Sequence, residues 1–397
     1  MATNPSRISS FLGVNERLHR GALRVEEGFF VAQAKNVDLT RTGQFIGRAG
    51  YRRVVAGSDM HSLWVSATAR AFVASGKQLC ALNVRACVLQ PLGMDVPSIA
   101  RLAFAELADG DIAVTDGRAL LRIQPDSSLG PMLAPAPAPQ PVAQLTPGSR
   151  HFLYCFAYVD ARGVVGLCTP VRHGVGEVLS FDVPTPPAGL LTQIYVSHPG
   201  GEVMYLLAES AGGSVTAGEQ RIGGQCPTLH LQALPAGDAL QLHGGRLYVV
   251  RGSVIYFSEP YQFGAMAPTN FLQFPAPVTV LAAMPTGLFV VADKTYWMLG
   301  TDPAMASMGV VNEHTGVARS LARLSNGRAV WGSSQGTVVG NKDGEVVSLT
   351  DAVVPSDRVL PGTTGATLPV ERNGVDQIIS KRQHPGYGRA GVTMEAE

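Results

Sequence analysis

The sequence predicts an all-β protein, a β-propeller interrupted by an inserted fibronectin type III-like β-sandwich. Three observations predict it. Short apolar runs alternate with Gly-containing turns along most of the chain. The runs recur about every forty residues, the length of one four-stranded propeller blade. A Pro/Ala-rich stretch then breaks the series before it resumes. Composition agrees: 45 Gly and 27 Pro in 397 residues are more punctuation than long helices tolerate.

Residues 1–21 read as a flexible arm, polar and without the apolar core of a secretory leader. The first 55 residues carry nine Lys/Arg against four Asp/Glu, so this region is locally basic. It is either a solvated arm or a segment that docks on an acidic protein surface. Residues 22–132 read as the first part of the propeller. It opens with the strand FFVAQAKNV, a polar turn from Asp38 to Gly43, and GQFIG. Blade-like units follow at "HSLWVSATARAFVASGKQLCALN" (His61 to Asn83) and "ARLAFAELADGDIAVTDGRALLRI" (Ala100 to Ile123). Their Asp-Gly pairs suit tight hairpin turns that need positive φ.

Residues 133–149, "LAPAPAPQPVAQLTPGS", form a Pro/Ala linker with an extended, semi-rigid expectation. Residues 150–235 read as the sandwich, with strand pairs around the turns Asp160–Gly163 and Pro199–Gly201. Residues 236–355 resume the propeller. "HGGRLYVVRGSVIYFSEPYQFG" (His243 to Gly264), "PTGLFVVADKTYWMLG" (Pro285 to Gly300) and "NGRAVWGSSQGTVVGNKDGEVVSLTD" (Asn326 to Asp351) each hold a hairpin. Unit starts fall near residues 60, 100, 240, 281 and 320. An unrelated series of hairpins in sandwiches is the rival architecture. Residues 356–397 form a C-terminal extension that matches no unit.

The residues give no reason to expect catalysis. The acids Asp109, Asp111, Asp116 and Asp343 stand in turns beside Gly, where turn chemistry explains them. The nine histidines include no metal-protease pair, and His61, His243 and His314 stand near blade edges. Nucleophile-elbow, phosphate-loop and dinucleotide motifs are absent, so no catalytic residue, metal or cofactor is expected. The five cysteines (Cys80, Cys87, Cys155, Cys168, Cys226) show no ligand spacing and read as buried thiols of a protein made in a reducing cytoplasm. Trp64, Trp297 and Trp331 lie in blade strands, as inter-blade packing or as stacking platforms for sugar. Loop residues Tyr261, Phe263, Met266, Met305 and Met308 are the candidate protein-contact residues, and Met284 joins the same apolar group. A net charge of +1 gives no global attraction to nucleic acid or membrane, and no apolar run is long enough to insert in a bilayer.

Three stretches, in order, resemble the tail-nozzle (head-to-tail stabilisation or tail-hub) proteins of short-tailed bacteriophages. In "AKNVDLTRTGQFIGRAGYRRV", Asn36, Val37, Asp38, Gly43, Arg48, Gly50 and Tyr51 are similar to the family's N-terminal signature. In the resumed propeller, Ser258, Glu259, Pro260, Asn270, Phe274, Gly287, Tyr296 and Trp297 resemble its second hallmark. The stretch "FLYCFAYVDARGVVGLCTPV" with "TQIYVSHPGGEVMYLLAE" is similar to the fibronectin-like insertion these propellers carry. The chain is short for the family, so small or missing tip decorations are expected.

The resemblance implies a virion structural protein, assembled in the host cytoplasm into a homo-hexameric ring in the tail. Its partners would be the head-to-tail adaptor and portal ring on one side and tail fibres or spikes on the other. Genomic DNA would pass through the channel without sequence recognition, and the near-zero net charge suits a conduit that does not grip phosphates. A lectin-like or receptor-binding propeller module is the alternative, and an inactive or unusual glycan hydrolase comes third.

Overall fold

The computed structural model describes residues 10–32, 55–97, 101–138, 150–217 and 223–349, apart from residues 27, 177–178, 325 and 335. It also describes the backbone pairing of Val37–Leu39 with Phe45–Gly47 and of Thr364–Arg372 with Val375–Gln383. The chain is all-β, with a short 3-10 turn at Arg20–Ala22.

Among the described residues, five four-stranded antiparallel sheets repeat along it, each with its strands in chain order. The first comprises His61–Val65, Ala71–Ser75, Gln78–Asn83 and Val88–Asp95. The second comprises Ala103–Glu106, Ile112–Thr115, Leu120–Ile123 and Leu129–Pro131. The third is Ala239–His243, Arg246–Arg251, Val254–Phe257 and Phe271–Gln273; the fourth is Val280–Met284, Gly287–Val291, Thr295–Leu299 and Ser307–Asn312. Ala322–Arg323, Ala329–Ser333, Gly336–Gly340 and Val346–Ser348 make the fifth. The sheets therefore begin within three residues of the starts expected from the sequence period.

Side-chain alternation explains why the central strands read as unbroken apolar runs. Successive residues of a strand point to opposite faces, and here both faces are covered. Tyr248 and Val250 pack with Leu288 and Val290 of the fourth sheet. Their neighbours Leu247 and Val249 pack with Ala105 and Ala113 of the second. Phe72, Ala74 and Leu79 of the first sheet meet Phe104, Ile112 and Val114 of the second. Phe289 and Trp297 of the fourth meet Trp331 and Val338 of the fifth. Each cluster thus joins one sheet to the next, so the sheets stack side by side in a propeller-like manner. The hairpins close as the turn residues demand: Gly244 and Gly245 both have positive φ (56° and 73°) between Ala239–His243 and Arg246–Arg251.

Between the second and third sheets stands a two-layer sandwich. One layer is built on His151–Asp160, flanked by Val165–Cys168 and Leu190–Ser197, with Met204–Ser210 outside the latter and Arg172–Val175 also paired to the first strand. The other layer is the pair Leu179–Val183 and Gly213–Ala217. Phe152, Tyr154, Phe156 and Phe181 fill the space between layers. Phe181 meets Phe156 edge-on at 6.0 Å between centroids, a favoured aromatic geometry.

Four sequence expectations change. Residues 10–21 are not wholly a loose arm, because Ser10–Val14 pairs in parallel with Gly28–Val31. Asp38 lies in a strand, opposite Ile46, and not in a turn. The linker's first residues are docked: Ala134 accepts a hydrogen bond from the Leu167 N–H at 3.2 Å, and residues 139–149 lie outside those described. The C-terminal extension contains a long hairpin whose Thr364–Arg372 strand runs beside Ala322–Arg323 of the fifth sheet.

Candidate functional site

Ser258, Glu259 and Asn270, which carry part of the resemblance, form a clasp in the third sheet. Ser258 ends the Val254–Phe257 strand fully buried; its hydroxyl accepts from the Leu247 N–H at 2.9 Å and donates to the Glu259 carbonyl at 2.9 Å. Asn270, after the intervening loop, donates to the Glu259 carboxylate at 2.8 Å. Arg246 lies 3.5 Å from that carboxylate, donates to the Ser258 carbonyl at 2.9 Å, and covers the Phe257 ring at 5.7 Å. Pro260 follows at the exposed turn. The loop from Ser258 to Asn270 is thereby tied at both ends. Trp297 packs on Phe289 at 4.5 Å, and a Cβ at Gly344 would strike its ring at 2.7 Å. Of the other signature positions, Asn36, Arg48, Gly50 and Tyr51 lie outside the described residues, and Asp38 is described only as backbone.

The five candidate contact residues divide. Tyr261, Met305 and Met308 are exposed, at 73%, 84% and 40%. Phe263 and Met266 are not surface residues: both are buried in the core between the second and third sheets, together with Leu247 and Val249. The reason is local. Ala265–Met266 pairs with Gln232–Ala233, which folds the loop back onto the core. Met284 is buried as well. What the sequence did not single out is the apolar company of Met305 and Met308. Leu299, Val310 and Val311 on the two outer strands of the fourth sheet are exposed, as are Val347 and Leu349 at the outer edge of the fifth. Of these, Met308 and Val310 share one face of the Ser307–Asn312 strand, whereas Leu299 stands on the opposite face of that sheet.

The tryptophans pack between sheets. Trp64 stacks on Phe104 of the second sheet at 5.2 Å, and Trp331 is wholly buried against Phe289 at 5.4 Å. Neither Trp297 nor Trp331 offers a face for a sugar.

Two charged groupings also emerge. Asp111, taken from sequence for a turn acid, is wholly buried and ion-paired to Arg122 and to Arg162, the latter at 2.9 Å. Arg162 sits in the first sandwich hairpin and also pairs with Asp160 at 3.2 Å, so this network fastens the insertion to the second sheet. Beside it lies a cleft of about 260 Å³, lined by Asp109, Arg122, Met132, Val164, Gln262 and Phe263. The other grouping joins the sheet starts. His61 is held below its ordinary pKa by burial, then by the Arg101 and Arg319 charges. Burial lowers Arg319 as well, against an opposing pull from Asp238. These residues begin or precede the first strands of the first, second, third and fifth sheets.

The cysteines also separate. Cys155, Cys168 and Cys226 converge, although 13 and 58 residues separate them in sequence, with sulfurs all within 4.8 Å of one another. No spacing motif could have found them, because strand pairing and a returning segment make the contact. Cys155 is held high by hydrogen bonds to Cys168 and Cys226 and by burial, and Cys168 is held low by hydrogen bonds with Cys155 and Cys226.

No protein-family model matches the chain, and no curated relative matches it. Among solved structures, it is similar to the extracellular domain of a one-component system from B. thetaiotaomicron. Identity there is 10%, with 82% of this chain and 44% of that one covered and a TM-score of 0.33. The chain thus spans under half of that neighbour's length. A chain of the BBS1N–ARL6DN complex matches at 12% identity over 83% of this chain and 90% of that one, with a TM-score of 0.30. A gluconolactonase from Xanthomonas campestris matches at 13% identity over 62% of this chain and 87% of that one, with a TM-score of 0.17.

Proposed function

We propose that the protein is a structural, non-catalytic ring subunit: a tail nozzle of a short-tailed bacteriophage, below the portal and its adaptor. One observation carries the reading. Met308 and Val310, which share one face of the last strand of the fourth sheet, and Met305 in the loop before it are exposed apolar side chains that offer a contact for a rigid neighbour. A heterologous contact of that kind, repeated about an axis, closes a cyclic oligomer such as a hexamer. The Ser258–Glu259–Pro260 clasp with Asn270 supports the same reading, because a ring wall needs loops held at a constant height. In this arrangement the C-terminal hairpin beside the fifth sheet completes the propeller, and the sandwich projects from the disc as a mounting surface for fibres or spikes.

The test is electron microscopy of the full chain, alone and after co-expression with the portal and adaptor proteins of a short-tailed phage. Sixfold rings at the head–tail junction are the expected result, and Met305→Asp combined with Val310→Asp abolishes them. Monomers in every mixture, together with tight binding on a glycan array, overturn the nozzle and favour the lectin-like module.

A further inference from the structure

The sandwich's principal layer has a second face, turned away from Phe181, and its chemistry differs from the rest of the core. Along His151–Asp160, Leu153, Cys155 and Ala157 alternate with the aromatic residues and point to this face. Cys168 ends the neighbouring strand, paired with Ala157. The face is covered by the segment that returns to the propeller. That segment attaches through the Gln225–Tyr205 bridge and through the Cys226 N–H, which donates to the Met204 carbonyl at 3.0 Å. It thereby delivers the Cys226 sulfur to the other two.

We propose that Cys155, Cys168 and Cys226 form a binding site for a thiophilic d10 cation, Cu(I), which staples the returning segment onto the sandwich. Three features argue for it. The first is distance. Metal–sulfur bonds of about 2.3 Å in a trigonal set put the sulfurs about 4 Å apart, so small side-chain rotations close a triangle whose edges are now at most 4.8 Å.

The second feature is the ligand set. Among the described residues no His, Asp or Glu ligand atom joins the three sulfurs. Structural zinc almost always takes four ligands, and hard cations require oxygen. A sulfur-only set selects a soft ion, and the Met204 thioether lies in the same cluster as a further soft group.

The third feature is the surroundings. Tyr195, Met204, Leu206 and Leu229 exclude water from Cys155 and Cys226, while Cys168 is half-buried and leaves a route in. Thr228 borders two of the sulfurs: the Cys168 thiol donates to its carbonyl at 3.4 Å, and the Cys226 sulfur lies 4.0 Å from its hydroxyl. Thr228 thus acts as an outer-shell residue that orients the two sulfurs. Thr228 is itself anchored, its hydroxyl donating to the Gly166 carbonyl at 2.8 Å. Binding forms metal–sulfur bonds and releases the ligating thiols' protons to solvent, with no change of oxidation state.

The experiment uses the full chain, prepared anaerobically with reductant and chelator. It is titrated with Cu(I) against a coloured Cu(I) chelator, and with Zn(II) in parallel. One equivalent of Cu(I) retained with a sulfur-only first shell by X-ray absorption is expected, with Zn(II) held more weakly. Cys168→Ser, the substitution least disturbing to the core, lowers Cu(I) affinity by about 100-fold or more. Cys87→Ser, outside the cluster, leaves it unchanged. Thermal melting serves as a second measurement: Cu(I) raises the midpoint of the wild type and of Cys87→Ser, but not of Cys168→Ser, whose metal-free melting shows it folded. The proposal is overturned by no stoichiometric retention, by retention indifferent to Cys168→Ser, or by tighter binding of Zn(II). A disulfide between two of the three in the reduced preparation overturns it as well.

Discussion

The two faces of the sandwich's main layer solve one problem in two ways. One face meets a regular second layer and is filled by rings: Phe152, Tyr154, Phe156 and Phe181. The other meets an irregular return segment and is filled by Cys155, Ala157, Met204 and Cys226, with hydrogen bonds from Thr228 at its margin. Large rigid rings need a flat, periodic partner to interdigitate with. Small and sulfur-bearing side chains tolerate an uneven cover. The first face therefore derives its strength from area, and the second from specific polar and metal-ligating groups.

That contrast can be broken most forcefully at Phe181. Phe181→Ala removes a wholly buried ring that touches three others and is expected to cost about 3–5 kcal/mol, read as a lower midpoint in urea. Asp111→Ala comes next. It removes the buried one of the two carboxylates that pair with Arg122, Asp109 remaining, and a loss of about 3 kcal/mol is expected for a broken buried pair. Because Arg162 is also released, proteolysis at the sandwich–propeller junction accelerates; an unchanged cleavage pattern would show that this network does not fasten the insertion.

Thr228→Val tests the second face. It leaves the buried Gly166 carbonyl without its donor, for about 1–2 kcal/mol, and weakens Cu(I) binding without removing a sulfur. The smallest effect concerns pH. His61 has a folded-state pKa below its unfolded value, chiefly through burial. As pH falls through the unfolded value of about 6.5, the unfolded chain takes up the proton first and stability declines toward the folded pKa. In His61→Gln that portion of the pH dependence disappears from melting curves recorded between pH 7 and 5.

Much of the architecture was legible because its signals are local. Asp-Gly, Asn-Gly and Gly-Gly pairs place positive φ where hairpins turn, and unbroken runs such as LYVV and LFVV mark strands covered on both faces. The sheet starts follow from that punctuation. The contact residues were legible only in part. Met305 and Phe263 both look like apolar loop residues, yet one is exposed and the other lies in a core, because the pairing of Ala265–Met266 with Gln232–Ala233 is a long-range event. Asp111 shows the same limit. Its neighbours in sequence describe a turn, while its charge partner Arg162 stands 51 residues away.

By itself, then, the sequence determined an all-β chain, the period of its sheets, and the place where a second β unit interrupts them. Backbone dihedrals and side-chain alternation act over a few residues, so a linear reading captures them. Only the tertiary structure decided which apolar residues stay exposed, that Ser258, Glu259 and Asn270 form one clasp, and that three scattered cysteines share a pocket. Those outcomes depend on which segments the folded chain brings side by side, and sequence separation carries no trace of that distance.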